Sequence, residues 1–337
     1  MLVILRKRRD RQWGAEMSHD KIAKKLHNLQ SSAIRELLKH SKMDGVISLG
    51  GGIPDPNLFD REGLLIAMDN VLTNTWKDAF QYGLSEGNPE LRGAICKRMR
   101  ERAIGCDIDD VVVTSGSQQS LDILARALIN PGDVVVVERP TYLAALQVLQ
   151  LAEANLMSVG TDGDGMIVDE LEALLKTTSV KAVYIVPTFG NPGGVALTEQ
   201  RRKQLVALSQ RYDFVIIEDD PYGEINFTDK TFIPLRAWAA EMGNSDNVIY
   251  TSTFSKILAP GARVGWLVVP GWLKRAVVNL KQATDLHTSS LSQSLTYHYL
   301  NSGRLAGQIA LIREAYQQKC LVLSQHLQNE LGDHLTS

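Results

Sequence analysis

The segment Ser252-Thr253-Phe254-Ser255-Lys256, followed by Pro260-Gly261-Ala262-Arg263, holds the side chains with the sharpest chemical potential. It follows a β-branched run. A lysine directly after a buried strand loses charge by desolvation and beside another cation, which makes it a nucleophilic amine. Thr253 and Ser255 add hydroxyls, and the Pro-Gly turn can fold Arg263 back to pair bidentately with a phosphate. Four further clusters sit just after other apolar runs. Ser115-Gly116-Ser117-Gln118-Gln119 opens a helix, where small residues leave N–H groups and the helix dipole to an anion. Glu138-Arg139-Pro140-Thr141-Tyr142 can lay the Tyr142 ring over a flat ligand. Pro187 through Gly194 (PTFGNPGG) packs so many turn formers together that its backbone must be unusual, with Asn191 as its side-chain donor. Glu218-Asp219-Asp220-Pro221-Tyr222 sets adjacent carboxylates at a buried strand's end, which is costly unless a cation balances at least one.

Each cluster has a plainer reading when taken alone. The first is a capped helix start, Tyr142 is packing, PTFGNPGG is a loop, the acids cap a helix or join a surface salt bridge, and the lysine is solvated. In combination they describe one site. A phosphate cup, a stacking ring, a polar Asn–Tyr pair, a carboxylate able to neutralise a pyridinium and a Schiff-base lysine match the needs of pyridoxal 5′-phosphate (PLP).

The elements that must position these residues alternate along the chain. The runs Val111–Thr114, Val134–Val137, Ala182–Val186, Phe214–Ile217, Val248–Thr251 and Val264–Val269 are continuous and apolar, as strands buried on both faces are. Helical patterns lie between them at Ser117–Leu128, Tyr142–Leu151, Val168–Leu175 and Thr198–Tyr212, and a long one runs from Arg304 to Leu331. The pattern predicts an α/β fold, a mostly parallel sheet covered by helices. In such sheets ligands bind beyond the carboxyl ends of the strands, where every cluster above falls. The expected division is an N-terminal arm and helix over residues 1–45, a large PLP-binding domain over 46–290, and the start of a smaller α+β domain over 291–337.

Composition narrows the class. The chain has 337 residues, 36 Lys+Arg against 38 Asp+Glu, and 44% hydrophobic residues, enough apolar material for a folded core. Balanced charge argues against a dedicated nucleic-acid binder. Cys96, Cys106 and Cys320 form no CxxC and no disulfide framework, which points to a reducing, cytoplasmic setting; no metal site is read. No run approaches the ~20 apolar residues of a spanning helix. Met1–Leu5 (MLVIL) precedes Arg6-Lys7-Arg8-Arg9, the reverse of a secretory signal, and reads as a solvated tail or an early start ahead of Met17.

The motifs resemble those of the fold-type I PLP enzymes, specifically the class I/II aminotransferases, and are most similar to the 2-aminoadipate/kynurenine aminotransferase group. The resemblance spans roughly residues 30–335 and rests on SLGGGIPDP (48–56), Gln81-Tyr82-Gly83, GSQQ (116–119), EDDPYGE (218–224) and Lys256 through Arg263-Val264-Gly265-Trp266. It implies transamination of an aromatic, 2-aminoadipate or branched-chain L-amino acid with a 2-oxo acid, 2-oxoglutarate above all. Lys256 would carry the cofactor as a Schiff base and move the proton between Cα and C4′. Asp219 would hold the ring nitrogen protonated; it is preferred to Asp220 because the family pattern is Asp-x-x-Tyr, ending at Tyr222. Tyr222 and Asn191 would bond the ring O3′, Tyr142 would stack, and Ser117, Gln118, Thr253, Ser255 and Arg263 would hold the phosphate. Gly51 would lie under the substrate, with Asn191 also facing it. Tyr82 would reach the phosphate of a neighbouring subunit in a homodimer. Gly193 replaces the threonine usual in NPTG. Family members continue past the long helix to an arginine that clamps the substrate α-carboxylate; no such motif precedes Ser337, and neither Arg304 nor Arg313, both in the helix, is a candidate. A chain ending there is expected to bind PLP less securely and to expose an apolar helix face. The alternatives are a truncated or degenerate PLP binder with little turnover, or a regulator-type PLP module, for which too few residues precede GGGIPDP to make a winged helix.

Overall fold

The β-branched runs become strands of one eight-stranded sheet in the computed structural model, which describes residues 21–26, 45–46 and 52–332. In chain order the principal elements are Arg61–Asn70 (α1), Pro89–Glu101 (α2), Val111–Thr114 (β1), Ser117–Leu128 (α3), Val134–Arg139 (β2) and Leu143–Leu151 (α4). Asn155–Asp162 (β3), Gly165–Met166 (β4), Val168–Leu175 (α5), Ala182–Ile185 (β5), Glu199–Tyr212 (α6) and Val215–Asp219 (β6) follow. Leu235–Glu241 (α7), Val248–Thr253 (β7), Gly265–Val268 (β8), Gly271–Asp285 (α8), Ser290–Asn301 (α9) and Leu305–Leu331 (α10) complete them.

The strand order is β1-β8-β7-β6-β5-β2-β3-β4. Strands β3, β2, β5, β6 and β7 run parallel, whereas β8 is antiparallel to both β1 and β7. Strands β3 and β4 escape the sequence pattern for a physical reason. Asn155–Asp162 lies toward the sheet edge, with only two of its eight residues buried, and so lacks the continuous apolar run of a doubly covered strand.

Side-chain alternation sends successive strand residues to opposite faces. Val112, Val137, Tyr184, Ile217, Ile249 and Leu267 pack with α3, α4 and α8 through Leu121, Leu124, Ala145, Leu273 and Val277. On the other face Val183, Ile185, Ile216 and Val248 meet Leu171, Leu205, Val206 and Trp238 of α5, α6 and α7. Val111, Val113, Tyr250 and Trp266 meet Ile95, Met99, Tyr299, Leu305 and Ile309, so α9 and α10 share a core with the sheet. The beginning of α10 is tied down where Arg304 pairs with Asp60, the N-cap of α1, at 2.7 Å. Its later turns leave Leu321, Val322, Leu323, Leu327 and Leu331 exposed. The segment expected as an N-terminal arm lies almost wholly outside the described residues, as does Gly51.

Two features of this topology place the chemistry. The carboxyl ends of β1, β2, β5, β6 and β7 fall on one edge, so the residues after them converge. The β7–β8 connection leaves from that edge and returns to it, because Gly265 pairs with both Thr114 of β1 and Thr253 of β7.

Candidate active site

A cavity opens at this edge. It is lined by Ser117 and Gln118 from the start of α3, Tyr142 ahead of α4, Val186 and Asn191 after β5, Asp219, Pro221 and Tyr222 after β6, and Thr253, Ser255, Lys256, Pro260 and Arg263 from the β7–β8 connection. Every residue predicted to touch the cofactor is therefore brought together, with Tyr82 the exception. Tyr82 is 79% exposed and lies away from the cavity, its ring edge-on to His287 with centroids 5.9 Å apart.

One end of the cavity is built for an anion. Gly116, at φ 83, precedes Ser117 and offers no capping side chain, so the first N–H groups of α3 face outward from the turn. A β-carbon at Gly116 would collide with the Arg263 guanidinium. Arg263 itself adopts φ 50, a region that non-glycine residues seldom occupy, and its Nη2 donates to Ser115 O at 3.1 Å. The Pro-Gly turn thus does fold the arginine back across the start of α3. Thr253 Oγ1 and Ser255 Oγ lie 2.8 Å apart beside it. A helix N-terminus, hydroxyls and a guanidinium on one spot make a dianion site.

The opposite end is acidic, and its three consecutive carboxylates have three different fates. Glu218, fully buried, accepts from Leu235 N at 2.7 Å and Arg236 N at 2.9 Å, capping α7. Asp220 faces away from the cavity and accepts from Arg102 at 2.6 Å and from Tyr250 Oη at 3.2 Å. Asp219 alone lines the cavity. Its Oδ2 accepts from Tyr184 Oη at 2.9 Å, while its buried Oδ1 has no partner among the described residues. Burial, reinforced by the charge of Asp220, pushes Asp219 up to about 7 despite the Tyr184 hydrogen bond and nearby Lys256.

Between the two ends lies Lys256. Burial lowers its pKa, which Asp219 only partly offsets. Its Nζ donates to Gly52 O at 3.3 Å and stands 5.8 Å from the centre of the Tyr222 ring. Burial also pushes the Tyr222 hydroxyl up to about 12, against the hydrogen bond from Asn191 Nδ2, 3.5 Å away. Beneath Lys256, Phe254 packs on Trp266 with ring centroids 4.7 Å apart, and both are fully buried. That packing fixes the turn that aims the amine.

The model for aminotransferases of class I and II matches residues 64–336. The chain belongs to this family. It is a fold-type I aminotransferase and uses pyridoxal 5′-phosphate. Over 317 residues it is 41% identical to aromatic-amino-acid aminotransferase 1 of Thermococcus litoralis, covering 92% of this chain and 75% of that protein. The kynurenine aminotransferase of Pyrococcus horikoshii, solved with PMP, superposes with a TM-score of 0.87 at 39% identity, covering 93% of this chain and 78% of that one. The α-aminoadipate aminotransferase of Thermus thermophilus, solved with N-(5′-phosphopyridoxyl)-L-leucine, gives 0.85 at 32%, covering 93% and 77%.

The cavity of this aminotransferase fits the cofactor on its own geometry. The unpartnered Asp219 oxygen requires a donor, which a protonated ring nitrogen supplies, and the cup at the start of α3 requires an anion. Residues unforeseen in the sequence are Tyr184 and Arg102, which occupy the two acids from outside the cavity. Tyr184 carries a signal, as the one hydroxyl in the run AVYIV; Arg102 carries none, because only packing brings α2 to Asp220.

Proposed function

We propose that this aminotransferase moves the amino group of an aromatic, 2-aminoadipate or branched-chain L-amino acid to a 2-oxo acid, 2-oxoglutarate foremost, and acts as a cytoplasmic homodimer. The observation that carries the chemistry is the pairing in one cavity of a desolvated lysine and a buried carboxylate with one oxygen unsatisfied. The donor classes follow the relatives, which act on aromatic amino acids, kynurenine and α-aminoadipate.

When bound, the cofactor supplies an electron-withdrawing ring that stabilises negative charge at the amino-acid Cα. The chain's own residues do the rest. Asp219 Oδ1 accepts from the ring nitrogen and keeps it protonated. Tyr184 holds the other Asp219 oxygen, fixing the carboxylate plane. Asn191 and Tyr222 donate toward the ring O3′, and Tyr142 stacks on the ring. Ser117, Gln118, Thr253, Ser255 and Arg263 hold the phosphate, so the ring cannot rotate away from Lys256. The Lys256 amine, kept short of its full charge by burial, takes the proton from Cα and delivers it to C4′. Gly52 O accepts from the amine, and the neighbouring Gly51, outside the described residues, is proposed to lie under the substrate. Tyr82 extends to the phosphate of the partner's site.

The test is spectroscopic and kinetic on the full chain. Purified protein with PLP is expected to show the near-visible band of lysine-bound cofactor, absent in Lys256→Ala. Mixing with phenylalanine, kynurenine, 2-aminoadipate or leucine should discharge the band, and 2-oxoglutarate should restore it with release of glutamate. No band in the wild-type protein would refute the site; a band that no amino acid discharges would refute the reaction.

A further inference from the structure

Behind the anion-binding turn lies a second polar cluster that none of the proposed steps uses. Its centre is Lys281 on α8, a lysine with no exposed surface. Its ammonium donates to Gln119 Oε1 at 3.0 Å, to Thr288 Oγ1 at 2.9 Å and to both Asp285 oxygens at 3.0 and 3.2 Å. Each of these three acceptors also touches Ser115. Ser115 N donates to Gln119 Oε1 at 2.7 Å, and Ser115 Oγ donates to Asp285 Oδ2 at 2.9 Å and lies 3.3 Å from Thr288 Oγ1. Ser115 O in turn accepts from Arg263 Nη2. The chain of contacts therefore runs from a buried lysine, through one residue, to both sides of the anion cup: Gly116-Ser117 by covalent continuity and Arg263 by a hydrogen bond.

A buried ammonium is costly unless all its protons are used, and here three residues use them. Asp285 balances its charge, so the pair adds little net potential at the cup. Its effect is geometric. Without Lys281, Gln119 and Asp285 lose the donor that orients them, and Ser115 loses two oriented acceptors. We propose that Lys281 is a positioning residue for the cofactor phosphate, locking Ser115 so that the start of α3 and Arg263 converge on one anion. This rests on the cavity being the PLP site, as proposed above.

The experiment compares two ligands that differ only in the phosphate. Cofactor-free full-length protein is titrated with PLP and with pyridoxal, following the absorption of the Lys256-bound ligand. In Lys281→Met, affinity for PLP should fall about tenfold or more, the scale of losing charge-assisted hydrogen bonds, with pyridoxal affinity unchanged. The PLP-to-pyridoxal ratio is the decisive reading, since general loosening of the fold weakens both ligands together. Lys281→Met leaves the Asp285 charge stranded, so Lys281→Met/Asp285→Leu is measured alongside it. The double variant should recover thermal stability and still show the reduced ratio. An unchanged ratio in a folded variant overturns the positioning role while leaving the active-site assignment intact. If wild-type protein forms no Lys256-dependent band with PLP, both fall.

Discussion

Glu218, Asp219 and Asp220 share one functional group, so their different behaviour comes from surroundings alone. Burial pushes both Glu218 and Asp219 up to about 7, but Glu218 spends both oxygens on backbone N–H groups and Asp220 is held by Arg102, so Asp219 is the one left with a free oxygen among the described residues. An acid whose folded pKa lies above its unfolded value holds its proton longer when folded, so stability falls as pH rises between the two. For Asp219 that window runs from the ordinary carboxylate range, about 4, up to about 7. Asp219→Asn removes a charge that burial disfavours. The cofactor-free variant should melt higher than wild type at pH 8 and match it at pH 4, yet retain PLP poorly and turn over far more slowly. Thermal melts at both pH values with and without PLP check this; a variant that melts lower at pH 8 would contradict the assigned burial cost. Asp220 is held by a cation instead. Arg102→Met leaves it buried and unpaired, which should cost about 3–5 kcal/mol in urea unfolding, with much recovered in Arg102→Met/Asp220→Asn. The adjacent acids and their need of a cation are legible in the sequence, and the Asp-x-x-Tyr spacing selects Asp219. The identity of the cation is not, since Arg102 lies 118 residues away and meets Asp220 only because α2 packs on β1 and β7.

At the scale of elements, the working parts hang on how β8 inserts between β1 and β7. Gly265 faces the start of α3, and a β-carbon there would lie 2.8 Å from Gly116 C and Ser117 N, both backbone atoms that cannot rotate aside. Gly265→Ala must therefore push the anion-binding turn outward. Overpacking of this kind costs about 1–3 kcal/mol. The variant should fold with that loss in urea unfolding and bind PLP more weakly than pyridoxal would predict, and an undiminished PLP affinity would show that the turn tolerates the shift. The periodic elements were readable because their cores are strictly patterned: the helices at Ser117–Leu128 and Val168–Leu175 have the bounds that periodicity predicts. Helices α1, α2, α7, α8 and α9 have weaker sequence signals. A charged residue sits within the buried stripe of α2 and of α8, Arg92 beside Leu91, Ile95 and Met99 and Lys281 beside Leu273, Val277 and Val278, and the cap residues Asp60, Asn88 and Ser289 are recognisable only once the fold supplies their partners.

For the whole molecule, the question is what the surface left open by this fold does. Neither Arg304 nor Arg313 faces the cavity: Arg304 ties α10 to Asp60 and Glu62, and Arg313 donates to Glu224 O. The Arg304 contact holds Asp60 down to about 2, so its stabilisation is present above the usual carboxylate range and disappears as pH falls through about 2. Arg304→Met should accordingly lower the melting temperature at pH 7 and do so progressively less as the pH falls toward and below 2. A different face bears on function. Phe80, Tyr82, Leu84 and Leu286 are all exposed, and Ser85 Oγ bonds Leu286 O, which sets the two segments side by side. Apolar surface of this kind is what an interaction site presents, and the proposed homodimer would cover it and carry Tyr82 into the partner's cavity. Shared sites make a prediction that separate sites do not. A Lys256→Ala chain should be inactive, and a Tyr82→Phe chain should need more PLP for the same activity. In a mixed dimer, one site receives both lesions and the other receives Lys256 from the Tyr82→Phe chain and Tyr82 from the Lys256→Ala chain, and is intact. Co-refolded mixtures should therefore show a new component with wild-type PLP affinity beside the weakened one of the Tyr82→Phe homodimers, measured as activity against PLP concentration. If the active fraction keeps only the weakened affinity of the Tyr82→Phe parent, Tyr82 serves its own subunit and the sites are not shared.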